Sequence, residues 1–139
     1  MTPDEQKAVV SRYLDEAWNK RNLAVIDELM APDYRRYTAA GILDRERQKQ
    51  RIGAFHAGLA DLRLVVERML AEGDQVAFRI QLSGTHEGPL LGVAPTHRPV
   101  TITATDILRF DEHGKIAEHW GNLDELGLLR QIGGLPTPS

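Results

Sequence analysis

The 139-residue chain contains no cysteine. Disulfide bonds, thiolate metal sites, iron–sulfur clusters and a cysteine nucleophile are therefore excluded. The chain also has no apolar run near the roughly 18 residues that a bilayer-spanning helix requires. Residues 1–21 lack the basic start and the apolar stretch of a signal peptide. We therefore expect a cytoplasmic protein that does not interact with a membrane.

An excess of positive charge, which is typical of nucleic-acid-binding proteins, is also missing. The sequence has 17 Lys and Arg against 20 Asp and Glu, which gives a formal net charge of −3. With 42% hydrophobic and 27% charged residues, the composition is close to that of an average soluble globular protein. We expect a single domain over residues 1–139, with an ordered core to about residue 134 and a tail over residues 135–139. We expect no nucleic-acid partner.

Three helices are predicted in the first part of the chain from hydrophobic periodicity and capping signals. The first covers residues 2–21 and starts with a Thr-Pro-Asp-Glu sequence that can form a capping box. The second follows Asn22, which is predicted to be its cap, and is stopped by Pro32. The third covers residues 44–60. Between the second and third helices, residues 33–43 are predicted to be irregular.

From Leu62 onward the hydrophobic period changes to two, which indicates strands. Four strands are predicted, over residues 62–72, 75–86, 100–110 and 115–123, followed by a short helix over residues 125–132. In the first of these strands the predicted inward residues are Leu62, Leu64, Val66 and Leu70. Helices followed by hairpin-linked strands predict an α+β fold, in which the helices cover one face of the sheet.

Asp106 is the polar residue that departs most clearly from the strand pattern. It shares a predicted strand face with Ile102, Ala104, Leu108 and Phe110, although aspartate is disfavoured in strands. Burial should raise the pKa of this carboxyl group, which could then act as a general base or as a protonated donor. The structural alternative is an Asp that binds backbone amides or an Arg at the sheet edge.

Two histidines are further candidates for acid/base chemistry. His86 ends the apolar face of the second strand, although a core histidine held by backbone groups is the commoner case. His119 lies on the last strand, whose inward set is either Ala117, His119, Gly121 and Leu123 or Ile116, Glu118, Trp120 and Asn122. With the first set inward, His119 and Asp106 share one cavity. A buried Asp–His pair is expected to titrate between roughly pH 5 and 8.

Tyr34 and Tyr37 lie in the segment that is predicted to be irregular, and either hydroxyl could reach the mouth of a pocket. The other histidines are assigned to the surface: His56, His97 and His113. No metal-ligand spacing connects the five histidines, and we therefore expect no metal site.

The chain carries a series of short motifs in this order: Ala31-Pro32-Asp33-Tyr34, Gly84-Thr85-His86-Glu87-Gly88, Leu91-Gly92-Val93-Ala94-Pro95-Thr96, Asp106-Ile107-Leu108-Arg109, Gly114-Lys115-Ile116-Ala117-Glu118-His119-Trp120 and Leu129-Arg130-Gln131-Ile132-Gly133. Together they span nearly the whole chain. In their order and spacing the chain resembles the SnoaL-like polyketide cyclases, a family of the nuclear transport factor 2-like superfamily.

The resemblance implies a cone-shaped fold, in which a strongly bent mixed or antiparallel sheet surrounds a deep apolar pocket closed by N-terminal helices, usually in a homodimer. It also implies chemistry without a cofactor, in which one acid/base residue moves a proton while an aldol condensation closes a ring. The acid/base Asp of the aldol cyclases falls on Gly121, and a pocket His of theirs falls on Asp106. Asp106 with His119 would then be a relocated acid/base pair, and Gly121 would leave free volume beside it.

The sequence therefore predicts a cofactor-independent acid/base enzyme of the lyase, cyclase or isomerase type that acts on a hydrophobic, carbonyl-bearing small molecule. The predicted catalytic residues are Asp106, His119 and His86, and the predicted substrate-binding residues are Tyr34, Tyr37, Phe55, Phe78, Leu108 and Gly121. One alternative is a binding protein with the same pocket and no activity. Another is a hydrolase of epoxides or esters, which needs an arginine in the pocket. The alternation places Arg79 and Arg109 on the face opposite Asp106.

Overall fold

The computed structural model describes residues 1–135 as helices packed on a six-stranded sheet. The helices are α1 (Pro3–Tyr13), α2 (Val25–Leu29), α3 (Arg45–Gly58) and α4 (Glu125–Gln131), and the strands are β1 (Met30–Thr38), β2 (Gly41–Leu43), β3 (Arg63–Glu72), β4 (Gln75–Thr85), β5 (Pro99–Phe110) and β6 (Ile116–Leu123). Apart from Leu135, the predicted tail lies outside the described residues. In the part that is described, no helix is long and apolar enough to cross a membrane.

The first helix starts as the sequence predicts. The Thr2 hydroxyl accepts a hydrogen bond from the Glu5 backbone N–H at 3.1 Å, and the Thr2 backbone N–H donates to the Glu5 carboxylate at 3.2 Å. After Tyr13 the helix continues as a wider π-helical segment, Leu14–Asn19. This N-terminal rod buries an apolar stripe, comprising Val10, Tyr13, Leu14, Ala17 and Trp18, against the sheet.

The prediction for the second helix is partly wrong. The helix α2 has Ala24 at its N-cap with no side-chain hydrogen bond, and the side chain of Asn22 instead donates to Glu16 at 3.2 Å. The third helix begins as predicted, because the Asp44 carboxylate accepts from the Arg47 backbone N–H at 2.9 Å.

The prediction that residues 33–43 are irregular is wrong, since they form most of β1 and all of β2. Strand β1 pairs in parallel with β6, and its register shifts between Met30 and Arg35. Its buried side chains after this shift belong to Tyr34 and Arg36, which are polar. The alternation of apolar residues that marks the other strands is therefore absent here.

The order of strands in the sheet is β2-β1-β6-β5-β4-β3. The β1–β6 pair is parallel and all other neighbouring pairs are antiparallel. Helix α1 packs against β3 and β4, and α3 packs against β1, so that the core lies between the N-terminal helices and one face of a curved mixed sheet. The predicted α+β fold is confirmed.

A β-bulge corrects the predicted inward face of β3. The register between β3 and β4 shifts between Val66 and Arg68, and a bulge of this kind reverses the faces of the residues that follow it. Val66 precedes the bulge and lies opposite the buried Ile80, although it is 38% exposed, whereas Leu70, which follows the bulge and was predicted to face inward, is 70% exposed. Met69 and Ala71 pack against the core instead.

Candidate active site

The side chains of Asp106 on β5 and His119 on β6 contact each other on the inner face of the sheet, where these two strands pair in antiparallel fashion. In the β5–β6 register Asp106 lies opposite Gly121, and His119 lies opposite Leu108. The Asp106 Oδ2 and His119 Nε2 atoms are 2.6 Å apart, and both side chains are buried. His119 and Ala117 are therefore inward on β6, whereas Trp120 is 37% exposed. The first of the two possible inward sets is the one that occurs.

Strand β1 adds a tyrosine and an arginine to this pair. Arg36 lies opposite His119 in the β1–β6 register, and Tyr34 is two positions earlier on the same face. The Tyr34 hydroxyl is 2.7 Å from His119 Nδ1. Arg36 Nη1 lies 2.7 Å from His119 Nε2 and 3.4 Å from Asp106 Oδ2. We call these four residues, Tyr34, Arg36, Asp106 and His119, the polar cluster.

Charges within the polar cluster set the pKa values of its acid and its base. Burial by itself would raise the pKa of Asp106, but the hydrogen bond from His119 and the positive charges of Arg36 and Arg51 outweigh it and lower that pKa below its ordinary value. Burial, together with the charge of Arg36, lowers the pKa of His119 to about 4 despite the opposing effect of Asp106. The predicted increase in the pKa of Asp106 is therefore wrong, and so is the predicted titration between pH 5 and 8.

At neutral pH the polar cluster accordingly holds an Asp106 carboxylate, an Arg36 guanidinium and a neutral His119 ring. With the His119 proton on Nε2, the ring donates to Asp106 and accepts from the Tyr34 hydroxyl. With the proton on Nδ1, the ring donates to Tyr34 and accepts from Arg36. The 2.6 Å contact with the anionic Asp106 favours the tautomer with the proton on Nε2, because in the other tautomer two lone pairs would face each other.

The polar cluster faces a small chamber under the N-terminal helices. Besides Arg36, Asp106 and His119, the chamber is lined by Tyr13, Leu14, Trp18, Gln48, Arg51, Phe78, Ile80, Leu82, Ala104 and Leu123. Its volume is about 20 Å³, which is room for about one water molecule. A substrate must therefore reach the chamber through its mouth or widen it.

Three buried polar atoms of the chamber residues have no partner among the described residues. They are the Asp106 Oδ1, Arg36 Nε and Gln48 Oε1 atoms. An unpartnered buried polar atom costs on the order of 1–3 kcal/mol. One donor and two acceptors without a partner thus belong to residues that line a space able to hold a water molecule.

Two open cavities adjoin the chamber. The first, which we call the outer cleft, has a volume of about 350 Å³ and shares Arg36, Arg51 and Leu123 with the chamber. The second, which we call the loop groove, has a volume of about 250 Å³ and lies under residues 89–92 of the loop after β4. Arg51 lines all three cavities. The outer cleft has the size of typical small-molecule sites.

Gly121 does not leave free volume, contrary to the prediction. A Cβ atom on Gly121 would lie 2.5 Å from Asp106 Cγ and 2.6 Å from Asp106 Oδ2. The Asp106 carboxylate therefore fills the space next to the Gly121 backbone. A side chain at position 121 would therefore require the Asp106 carboxylate to move.

The other residues predicted to bind substrate lie in different places. Phe78 lines the chamber, whereas Leu108 is buried in the core and does not line it. Phe55 lies in the loop groove. Tyr37 faces the opposite side of the sheet, where its hydroxyl donates to Glu118 at 2.6 Å and its ring stacks on Trp120.

The structure does not bring His86 to the chamber. His86 comes eight residues after Phe78 in the chain, which is about 25 Å of extended backbone. Its Nδ1 atom accepts from the Thr96 backbone N–H at 3.2 Å, and its Nε2 atom is buried without a partner among the described residues. The prediction that His56 lies at the surface is also wrong, because this ring is buried and contacts the Trp18 carbonyl at 2.9 Å.

Sequence reasoning missed Arg36, Arg51 and Gln48 as chamber residues. The segment that contains Arg36 has no strand pattern, and the charged residues of α3 resemble an ordinary solvated helix face. The sequence signal that could have identified Arg36 is its spacing of two from Tyr34, which places both on one strand face. Within residues 1–135, no group of three His, Cys, Asp or Glu side chains is arranged to hold a metal ion.

Residues 8–132 match the protein family described as SnoaL-like polyketide cyclase. The match covers most of the chain, and the protein therefore belongs to this family, as the resemblance of its motifs indicates. No functionally curated protein matches the chain.

Solved structures share the fold over almost the whole chain. AclR from Streptomyces galilaeus, a candidate hydroxylase, is 31% identical with a TM-score of 0.88, over 97% of this chain and 100% of that chain. TsrD from Streptomyces laurentii is 27% identical with a TM-score of 0.87, over 97% and 99% of the two chains. IdmH from Streptomyces antibioticus, a candidate polyketide cyclase, is 30% identical with a TM-score of 0.78, over 92% and 98%.

Proposed function

We propose that the protein is a cofactor-independent acid/base enzyme of the cyclase, lyase or isomerase type that acts on a hydrophobic, carbonyl-bearing small molecule. Its family supports a cyclase-type function. The observation that carries the proposal is the 2.6 Å contact between Asp106 and His119 in a largely apolar chamber, with one carboxylate oxygen, Oδ1, left free. A free carboxylate oxygen in such a chamber is suited to accept a proton.

In the proposed mechanism Asp106 is the base. Its Oδ1 atom takes a proton from a carbon next to a substrate carbonyl, and the electron pair of the C–H bond becomes an enolate. In a cyclisation the enolate carbon then attacks a second carbonyl of the same molecule. The proton on Asp106 passes to the new alkoxide, which restores the carboxylate. The outer cleft, which is large enough for a small molecule, would orient the two reacting ends of the substrate.

Arg36 is proposed to stabilise the enolate oxygen. Its Nε–H is buried without a partner among the described residues, and a preorganised donor of this kind is most effective where negative charge develops. The Arg36 contact with Asp106 is long, at 3.4 Å. The positive charge of Arg36 lowers the pKa of Asp106. An enolate oxygen next to Arg36 would offset that charge. The pKa of Asp106 would then rise, which makes the carboxylate a stronger base as the enolate forms.

His119 and Tyr34 are proposed to position the base and to stabilise its charge. The His119 Nε2–H donates to Asp106 Oδ2 and leaves Oδ1 without a partner among the described residues. The Tyr34 hydroxyl at His119 Nδ1 fixes the ring and its tautomer. Burial raises the pKa of Tyr34 well above its ordinary value, so that the hydroxyl remains a neutral donor.

Turnover of a panel of hydrophobic β-keto esters and diketones tests the proposal, with products identified by mass spectrometry. Asp106→Asn should lower kcat by about 10² to 10⁴-fold, while Asp33→Asn, an exposed Asp on β1, should leave it unchanged. A near-native rate in Asp106→Asn would show that the mechanism is wrong. Tight binding by the wild type without conversion would identify a binding protein.

A hydrolase is the second candidate, and Arg36 is the observation that favours it. The sequence argued against a hydrolase because Arg79 and Arg109 are placed on the face opposite Asp106, but a different arginine, Arg36, lies 3.4 Å from Asp106. The chamber also has room for about one water molecule beside the free Asp106 Oδ1. Reaction in ¹⁸O-labelled water distinguishes the two candidates, because a hydrolase places one labelled oxygen in the product and a cyclase or isomerase places none.

A homodimer is also part of the proposal. The sheet face opposite the N-terminal helices carries exposed apolar side chains on neighbouring strands, including Ile107 and Trp120, and such a face commonly packs against a second copy. Sedimentation equilibrium measures the mass in solution. A monomer at high protein concentration would contradict this part of the proposal.

A further inference from the structure

Arg51 occupies an unusual position for an arginine. It lies on the inward side of α3, where the chamber, the outer cleft and the loop groove meet, and it lines all three. Its guanidinium carbon is 5.3 Å from the centre of the Phe55 ring, which covers one face of the guanidinium plane. The N–H donors in that plane remain available to a ligand.

Arg51 has no anionic partner within residues 1–135. Arg36 is paired with Asp106, and on the surface Arg12 is paired with Glu16 and Glu28. Arg51 makes neither a hydrogen bond nor an ion pair with any described residue. Burial and the nearby charge of Arg36 lower its pKa, since both disfavour a cation at this place.

The charged groups that line the chamber itself sum to one positive charge. Arg36 and Arg51 are cationic, Asp106 is anionic and His119 is neutral, which gives +2 − 1 = +1. Two further carboxylates lie on the rim of the outer cleft. Asp124 accepts from the Gly127 backbone N–H as the cap of α4. Glu125 is exposed and lines the outer cleft and the loop groove. It forms no ion pair with Arg51 among the described contacts, but its charge acts to raise the pKa of Arg51 and so offsets part of the positive charge there.

We propose that Arg51 binds a carboxylate of the substrate, which would therefore be a hydrophobic carbonyl compound that also carries an acid group. A planar guanidinium matches a carboxylate with two parallel hydrogen bonds. The apolar body would lie in the outer cleft or the loop groove, of about 350 and 250 Å³, and the reacting carbon would face Asp106. This inference rests on the proposed function for its substrate, but its test does not depend on turnover.

The test compares two probes of the same shape, 2-naphthoate and methyl 2-naphthoate, by isothermal titration calorimetry at pH 7. The wild type should bind the acid about tenfold or more tightly than the ester, as expected for charge-assisted hydrogen bonds. Arg51→Gln should abolish this preference. Arg47→Gln is the matched control, because Arg47 is exposed on the same helix, and it should keep the preference. Glu125→Gln should keep or increase it.

Three results would overturn the inference: no binding of 2-naphthoate at millimolar concentration, equal affinity for the two probes, or an unchanged preference in Arg51→Gln. The Asp106→Asn variant separates this inference from the proposed function. Loss of turnover in Asp106→Asn with the acid preference intact supports both. Native turnover in Asp106→Asn with the preference intact refutes the proposed mechanism and leaves the assignment of Arg51 standing.

Discussion

The carboxylate of Asp106 lies directly over the backbone of Gly121, its partner residue on the neighbouring strand. The resemblance to the aldol cyclases predicts that their acid/base Asp falls on position 121. This chain carries its carboxylate on the neighbouring strand, and the group fills the space next to the Gly121 backbone. The glycine is thus the condition for an Asp at position 106, since any side chain at position 121 would meet the carboxylate.

The close contact between the Asp106 carboxylate and Gly121 predicts that substitutions at these two positions have non-additive effects on stability. Gly121→Ala should lower the free energy of unfolding by about 1–3 kcal/mol, because the new methyl group overpacks against Asp106. In an Asp106→Ala background the same substitution should cost much less. Urea denaturation of the four proteins measures the coupling. Equal costs of Gly121→Ala in both backgrounds would contradict the close contact.

The two tyrosines of β1 provide a matched pair of variants. Tyr34→Phe removes the hydroxyl at His119 Nδ1, and we expect kcat to fall about tenfold or more as the ring loses its fixed orientation. Tyr37→Phe removes a hydroxyl that contacts Glu118 on the opposite face, and it should leave kcat unchanged. Steady-state kinetics of both variants test this prediction. Similar losses in the two variants would mean that the effect is on folding.

The low pKa of His119 predicts that acid destabilises the protein. The folded ring titrates at about 4, against an ordinary value of 6.5, so the unfolded chain binds the additional proton between these two pH values. The stabilisation is complete above pH 6.5 and is lost as the pH falls toward 4, by about 3 kcal/mol in total. Unfolding free energies measured across this range should show the decrease, and His119→Gln should remove most of it. If the unfolding free energy of His119→Gln depends on pH as steeply as that of the wild type, the pH dependence does not come from His119.

Arg36 should set the acid limit of the activity. Its charge lowers the pKa of both Asp106 and His119, and Arg36→Gln should therefore move the acid limb of the kcat/KM profile to higher pH and reduce kcat. Arg79→Gln, on the exposed face of β4, should leave the profile in place. A limb that stays where it is in Arg36→Gln would mean that Arg36 does not act on the base.

Much of the fold could be predicted from short-range sequence patterns. The capping box of α1, the Asp44 cap of α3 and the alternation in β4 and β5 each reflect short-range chemistry. Residues 33–43 could not be assigned, because β1 pairs with a strand far away in the sequence and its buried side chains, Tyr34 and Arg36, are polar. The face reversal in β3 depends on a bulge that leaves no local pattern.

The candidate site was predicted where a polar residue interrupted an apolar face. Asp106 stood out for this reason, and His119 followed once one face of β6 was chosen. Arg36 and Arg51 did not stand out, because neither interrupts a run of apolar residues on a predicted strand or helix face. The pKa of Asp106 was predicted with the wrong sign, because burial was weighed without the hydrogen bond from His119 and the positive charges of Arg36 and Arg51, which together outweigh it.

The most direct test of the account is whether Asp106 removes a proton from carbon. NMR can follow deuterium uptake at the carbons next to the carbonyl of 2-tetralone in D₂O, with the buffer alone as background. We expect the wild type and Asp33→Asn to accelerate the exchange, and Asp106→Asn to lose about 10² or more of that acceleration. Exchange in Asp106→Asn as fast as in the wild type, or no acceleration by the wild type, would contradict the assignment of Asp106 as the base.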